Sequence, residues 1–314
     1  MQPPFDIHRR RLIAASLGAA FGAAAPRIAM SARAADEPLR TRSIPHSGEQ
    51  LPVVGIGTAI VFDFGDDRQK YTERQGVIQA LVSGGGKLID TAYSYGRAEE
   101  RVGDIVADLA VRDRLFLATK FSYSLDREAA MASMQTSLRR LRTDRVDLMQ
   151  AWNVGDAAYD FGLLRDWKRQ GLCRYAGLTT SFSRQYEGIG KVLARERPDF
   201  LQVNYSLGDR EAEEYLLPAA GDVGAAVLVN LPFGRNSLFR KAGGRPLPDF
   251  AGEFGARTWA QFFLKFILSH PAVTAVIPGT DKPEYMLDNL QAGRGPLPDS
   301  AMRSRMVKYW DSLA

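Results

Sequence analysis

The chain has 314 residues, 45% of them hydrophobic and 25% charged, which excludes a disordered, collagen-like or disulfide-scaffolded protein. That length suits one large barrel or two ordinary domains and is enough to bury a sizeable core. The formal charge of +5 misleads: Arg9, Arg10, Arg11, Arg27 and Arg33 face only Asp6 within residues 1–34, so +4 of it lies there, and the near-neutral remainder excludes a nucleic-acid surface.

Residues 1–34 read as a targeting segment. His8–Ile13 is basic, Leu12–Ala25 is a mildly apolar run rich in Ala and Gly, and Ala32-Arg33-Ala34 has the small-x-small pattern of a signal peptidase site. The apolar run is shorter than the roughly 20 residues that span a bilayer. Arg-Arg-x-Leu-Ile resembles a twin-arginine export signal. The expectation is cleavage near Ala34 after engagement of the export machinery. A mature periplasmic domain over 35–314 would follow, without stable membrane insertion. An amino-terminal helix of the fold and an uncleaved anchor are the alternatives. The single cysteine, Cys173, has no partner for an internal disulfide, which agrees with a route that carries folded proteins. It reads as a free buried thiol at a strand start.

Beyond the signal, Arg40–Gln50 looks like a hairpin ahead of the main fold. Short apolar runs follow at Leu51–Gly57, Lys87–Thr91, Leu115–Lys120, Val146–Trp152, Arg174–Leu178, Phe200–Asn204, Ala225–Asn230 and Val273–Ile277. Amphipathic stretches of helical period separate most of them: Thr72–Val82, Glu99–Leu109, Arg127–Leu141, Phe161–Gln170, Tyr186–Glu196 and Ala256–Leu268. Eight strands alternating with helices is the pattern of an α/β (β/α)8 TIM barrel. An open doubly wound sheet fits less well, because no Gly-x-Gly-x-x-Gly follows the first strand. Ser83–Lys87 reads as a helix C-cap and turn. Leu231–Gly255 reads as a long loop on the active face, and Asp299–Leu313 as an extra carboxy-terminal helix. There is no metal-ligand spacing of His and Cys and no Gly-x-Ser-x-Gly elbow.

Leu88-Ile89-Asp90-Thr91-Ala92-Tyr93-Ser94-Tyr95-Gly96 ends the second strand and resembles the signature of aldo-keto reductases, which Arg97–Gly103 continues. Ala118-Thr119-Lys120, Val146–Asn153, Tyr175–Ser181, Leu201–Leu207 and His270–Thr280 with Asn289 resemble the family's later strands, so the likeness runs from about Leu51 to Leu290. The resemblance implies a barrel that transfers hydride from NADPH to a small carbonyl compound. It makes Tyr95 the proton donor, Lys120 the cation that eases its ionisation and Asp90 the partner of Lys120. The chemistry is sound in itself: a phenol with a pKa near 10 is a poor proton donor at neutral pH without an adjacent cation.

One position departs from the family. Members usually carry His where this chain has Trp152, and His46 and His270 lie far from it in sequence. Indole is a donor only and cannot titrate. Trp152 therefore reads as reducing activity or redirecting it, for example as an apolar wall for an activated alkene or quinone. The alternative is a barrel that binds NADP or another ligand without turnover.

By the same resemblance Thr179, Thr180 and Gln202 hold the nicotinamide carboxamide, and Asn230 stands where a stacking ring is common. Leu231, Phe233 and Gly234 fall in the pyrophosphate loop. Gly279, Thr280 and Lys282 open the phosphate segment, with Lys282 facing a 2′-phosphate and thus favouring NADP. Asp288 and Asn289 match adenine-contacting positions. Tyr205 reads either as a ring offered to the nicotinamide or as core packing.

Overall fold

The computed structural model describes residues 37–313. The amino-terminal signal expected over residues 1–34 lies outside the described residues. Strands β1 (Thr41–Ser43) and β2 (Gln50–Pro52) form an antiparallel hairpin with Arg42 opposite Leu51. Eight parallel strands follow: β3 (Ile56–Gly57), β4 (Leu88–Asp90), β5 (Phe116–Ser122), β6 (Val146–Trp152), β7 (Cys173–Thr179), β8 (Phe200–Asn204), β9 (Ala226–Asn230) and β10 (Val273–Val276). Parallel bridges from Val54 to Val276 and from Gly57 to Gly279 close the sheet on itself. The fold is a (β/α)8 barrel.

Helices α1 (Arg68–Ser83), α2 (Ala98–Asp108), α3 (Arg127–Arg140), α4 (Gly162–Arg169), α5 (Tyr186–Glu196) and α6 (Leu216–Val223) cover the strands in turn. Helix α7 (Ser237–Ala242) interrupts the loop after β9; α8 (Trp259–Leu268) and α9 (Pro283–Ala292) flank β10, and α10 (Ser300–Ser312) is the extra carboxy-terminal helix. Starts follow local chemistry: Asp67, Asp126, Thr258 and Asp299 each accept a backbone N–H in the first turn of α1, α3, α8 and α10. At the other end of α1, Gly84 and Gly85 make the expected turn, Gly85 at φ +90°.

Two corrections concern the first strand and the long loop. The apolar run Leu51–Gly57 is divided: its first residues complete the hairpin, and only Ile56 and Gly57 join the barrel. Gly55 between them packs so tightly that a Cβ would lie 2.7 Å from Leu88 Cβ. The stretch Leu231–Gly255 is not plain loop, since it contains α7 and a turn of 3-10 helix at Asp249–Phe254. Helix α6, with Pro218 and Gly221 inside it, escaped the periodicity reading.

The lumen is filled at its amino-terminal end by Leu88, Phe116, Leu148, Tyr175, Phe200 and Leu228, with Ile44 and Leu51 of the hairpin inserted as a plug. The Tyr175 hydroxyl donates to Glu49 at 2.6 Å and pins the plug. Cys173 is buried, free, and pushed up by burial to about 12. Filling one end of the barrel leaves the carboxy-terminal end of the strands to carry the cavity.

Candidate active site

Polar residues at inward positions stand out because the strands are otherwise apolar. The parallel register sets Lys120 beside Gln150, so both enter the lumen, while Thr119, one residue earlier, faces α2 and donates to Glu99 at 2.6 Å. Lys120 Nζ donates to Asp90 Oδ2 at 2.5 Å and to the Thr91 carbonyl at 2.8 Å. Asp90 Oδ1 accepts from Gln150 Nε2 at 3.1 Å and from Gln202 Nε2 at 2.8 Å. Asp90 thus gathers donors from three strands and is only 3% exposed. Burial works against the Lys120 ammonium. The charge of Asp90, and then Tyr95, outweigh it, so Lys120 holds its proton more firmly than a free lysine.

Tyr95 lies above this pair, its ring centroid 5.1 Å from Lys120 Nζ. It lines a cavity of about 570 Å³ at the carboxy-terminal end of the barrel, with Asp90 at the base and Trp152, Ile60, Leu231 and Phe233 among its walls. Trp152 meets Tyr93 and Tyr95 edge-on, with centroids at 5.8 and 6.5 Å. Its indole N–H donates to no described residue. Neither described histidine reaches the cavity. His46 sits against Asp199, at 3.3 Å, and His270 precedes β10 and packs on Tyr205.

The expected site residues divide into two groups. Asp90, Tyr95, Trp152, Thr179, Gln202, Asn230, Leu231, Phe233 and Gly279 share the cavity wall, and Lys120 lies buried beneath it. Asn230 brings a buried Oδ1 without a hydrogen-bond partner. Gln202 faces the cavity, but its amide is already engaged by Asp90 and by Thr179 Oγ1 at 3.3 Å.

The others lie off the wall. The Thr180 hydroxyl turns into its own loop and donates to Gln185 at 2.6 Å. Gly234 holds a left-handed turn at φ +54°. Thr280 and Asn289 bond each other at 3.0 Å. Asp288 receives Thr258 Oγ1 at 2.7 Å and Gln261 Nε2 at 2.6 Å, which ties α9 to the start of α8. Lys282 is exposed before α9, with its ammonium 5.6 Å from the Tyr285 ring centroid. Tyr205 is fully buried against Phe266, with Arg303 donating to its hydroxyl at 2.7 Å, and does not line the cavity.

Sequence reasoning gave no individual role to Gln150, Asn153 or the turn Thr58–Val61, which lines the cavity. Gln150 had a signal, a lone amide inside the apolar strand Val146–Trp152. Asn153 had none: it adopts φ +55° and accepts the Ser181 N–H at 3.1 Å, joining the loops after β6 and β7.

The aldo/keto reductase family model matches residues 53–306. The methylglyoxal reductase YeaE of Escherichia coli is 28% identical over 249 residues, which span 76% of this chain and 84% of that protein. Aldo-keto reductase str7 of Strobilurus tenacellus is 26% identical over 305 residues, 81% of this chain and 87% of that one. A crystal structure of an aldo/keto reductase from Klebsiella pneumoniae with NADP and acetate has a TM-score of 0.72 at 24% identity, covering 85% of this chain and 94% of that one. The thermostable aldo-keto reductase Tm1743, with the inhibitor epalrestat, has a TM-score of 0.70 at 27% identity, covering 88% and 100%. With the model spanning nearly the whole barrel, this chain belongs to the aldo/keto reductase family.

Proposed function

We propose that the protein is an NADPH-dependent reductase of small carbonyl compounds in which Tyr95 donates the proton. The observation that carries this reading is the Asp90–Lys120 pair, buried and joined at 2.5 Å, directly under Tyr95 at the base of the cavity. Lys120 keeps a positive charge next to the phenol, so the phenolate left by proton donation is stabilised where it forms. Asp90 holds Lys120, and the Gln150 and Gln202 amides hold Asp90.

The cavity has features that fit a nicotinamide nucleotide. The unpartnered Asn230 Oδ1 is an acceptor for a carboxamide N–H. The first turn of α9 offers backbone N–H groups and a favourable dipole to phosphate, with Lys282 at its cap and no side chain capping it. NADPH supplies the hydride when bound. Lys282 supports NADPH over NADH. The Klebsiella neighbour that carries NADP, and the methylglyoxal reductase similarity, support the same cofactor and a small aldehyde or dicarbonyl substrate.

Trp152 puts a bulkier, non-titratable indole where members carry His, so turnover is slower than in members with His there, or directed to more electrophilic acceptors. The twin-arginine-like segment extends the proposal to a periplasmic protein loaded with nucleotide before export. Material from a periplasmic fraction should then carry bound nucleotide.

A second reading, a barrel that binds nucleotide without turnover, is favoured by one observation: the Gln202 amide is committed to Asp90. Titration of tryptophan fluorescence with NADPH, followed by reduction assays on wild type and Tyr95→Phe, separates the two. Saturable binding, with turnover abolished in Tyr95→Phe, supports the reductase. Binding with no turnover in wild type supports the second reading, and absence of binding removes both.

A further inference from the structure

Arg74 sits inside α1 and is only 7% exposed. Its Nε donates to the Val61 carbonyl at 2.7 Å and its Nη1 to the Asp281 carbonyl at 2.5 Å. Val61 belongs to the loop after β3 and Asp281 to the loop after β10, and these strands meet at the seam of the barrel. Glu73, at 3.0 Å, balances the charge. One buried guanidinium therefore joins two loops on either side of the closure.

The first of these loops is strained. Ile60 has φ +69°, and the Val61 N–H donates to the Ala59 carbonyl at 2.8 Å, which is the rare, strained hand of the three-residue turn. A β-branched residue there is a genuine outlier. Its side chain is 78% exposed, so packing does not compensate, yet it lines the cavity. The turn is held from its far side, by the Arg74 bond to Val61 and by Phe62, which is fully buried and returns its N–H to the Thr58 carbonyl at 3.0 Å. Strained residues cluster at active sites and ligand clamps, and this one stands at the cavity mouth.

We propose that Arg74 is a positioning residue that braces the Ile60 turn as an apolar lip of the cavity and, through Asp281, fixes the Gly279–Lys282 loop. The second half of the proposal rests on the nucleotide reading given above; the first half does not.

The test is a double-mutant cycle on thermal stability, read together with NADPH binding, using Arg74→Met, the milder Arg74→Lys, Ile60→Gly and the Arg74→Met/Ile60→Gly pair. Glycine accepts a positive φ without strain, so Ile60→Gly raises Tm in the wild-type background by about 2 °C. It raises Tm by less than half as much once Arg74 is gone, because the turn has already relaxed. Equal shifts in both backgrounds would overturn the brace. Arg74→Lys keeps Tm near wild type but weakens NADPH binding about fivefold, through faster release. An unchanged Kd in both Arg74 variants would overturn the link to the Gly279–Lys282 loop. A wild type that binds no NADPH would remove the nucleotide reading and that link with it, while the Tm cycle would still decide the brace.

Discussion

Gln202 donates its side-chain amide to Asp90 Oδ1 at 2.8 Å, the same oxygen that Gln150 reaches at 3.1 Å from another strand. With Lys120 on Oδ2, one buried carboxylate is held by three donors from β5, β6 and β8. Hydrogen bonds to a charged group contribute about 1.5–3 kcal/mol each, so the two amides help fix the Asp90 carboxylate in place and thereby aim Lys120 at Tyr95.

Gln150→Leu therefore lowers carbonyl-reduction kcat by about tenfold with NADPH Kd unchanged. Gln202→Leu lowers it by a similar factor. Because both amides end on the same oxygen, the double variant loses less than the product of the two. Steady-state kinetics with an aldehyde at saturating NADPH checks this, with melting curves to confirm folding. Unchanged kcat in Gln150→Leu would show that the amide only fills the lumen.

Trp152 stands at the end of β6, edge-on to Tyr93 and Tyr95, and brings no acceptor and no titratable group. Trp152→His restores the smaller, titratable imidazole that members carry beside the carbonyl oxygen. Aldehyde turnover rises by about 10²-fold, the scale on which single oxyanion donors act. The variant also gives up aromatic contact with two rings, so its Tm falls. A variant that folds, binds NADPH and turns over no faster would mean that Trp152 does not limit turnover.

Gly96 follows Tyr95 at φ +56°, and a Cβ there would collide with the Asp63 carboxylate, which accepts the Arg97 N–H at 3.0 Å. The loop after β3 is further fastened to α2 by Arg101, which donates to Asp66 at 2.8 Å and to the Gly65 carbonyl at 3.0 Å. Gly96→Ala meets both the conformational penalty and the clash. It costs about 1–3 kcal/mol, and reduction falls along with stability because Tyr95 moves with the loop. Thermal melts and kinetics on the same preparation test this. A variant with wild-type Tm would show that neither the positive φ nor the Asp63 contact holds the loop.

How much was legible follows from where each residue's partners lie. Strands Val146–Trp152 and Phe200–Asn204 and helix Tyr186–Glu196 could be read to the residue, because apolar content and flanking turns are local signals. Asp90 and Lys120 were legible as positions on adjacent strands that converge in any such barrel, with Tyr95 in the loop after β4. The commitment of Gln202 to Asp90 was not, because it bridges 112 positions of sequence and depends on how deep each side chain sits in the lumen. The same holds for Thr180, whose hydroxyl prefers Gln185 five residues away to the cavity. The split of Leu51–Gly57 escaped because one continuous apolar run serves two structures, and tertiary closure at Gly57 and Gly279 decides where one ends. Arg74 falls inside the amphipathic stretch Thr72–Val82 and nothing local marks it; only its two carbonyl partners set it apart.

Lys265 gives a test by pH away from the cavity. It lies in α8, 1% exposed, and donates to the Arg294 and Pro296 carbonyls at 2.7 and 2.9 Å. Burial, with a smaller push from Arg40, brings it from 10.5 down to about 8. Between those two values the unfolded chain binds a proton that the folded chain has released, so folding stability rises with pH across the window. Below it, the native state carries the cost of a buried ammonium that the two carbonyls only partly offset. Lys265→Met has no such group. The Tm of wild type relative to the variant therefore climbs from pH 8 to 10.5 and is flat below pH 7. A difference that stayed flat throughout would mean that the carbonyls keep Lys265 as basic as a lysine in water.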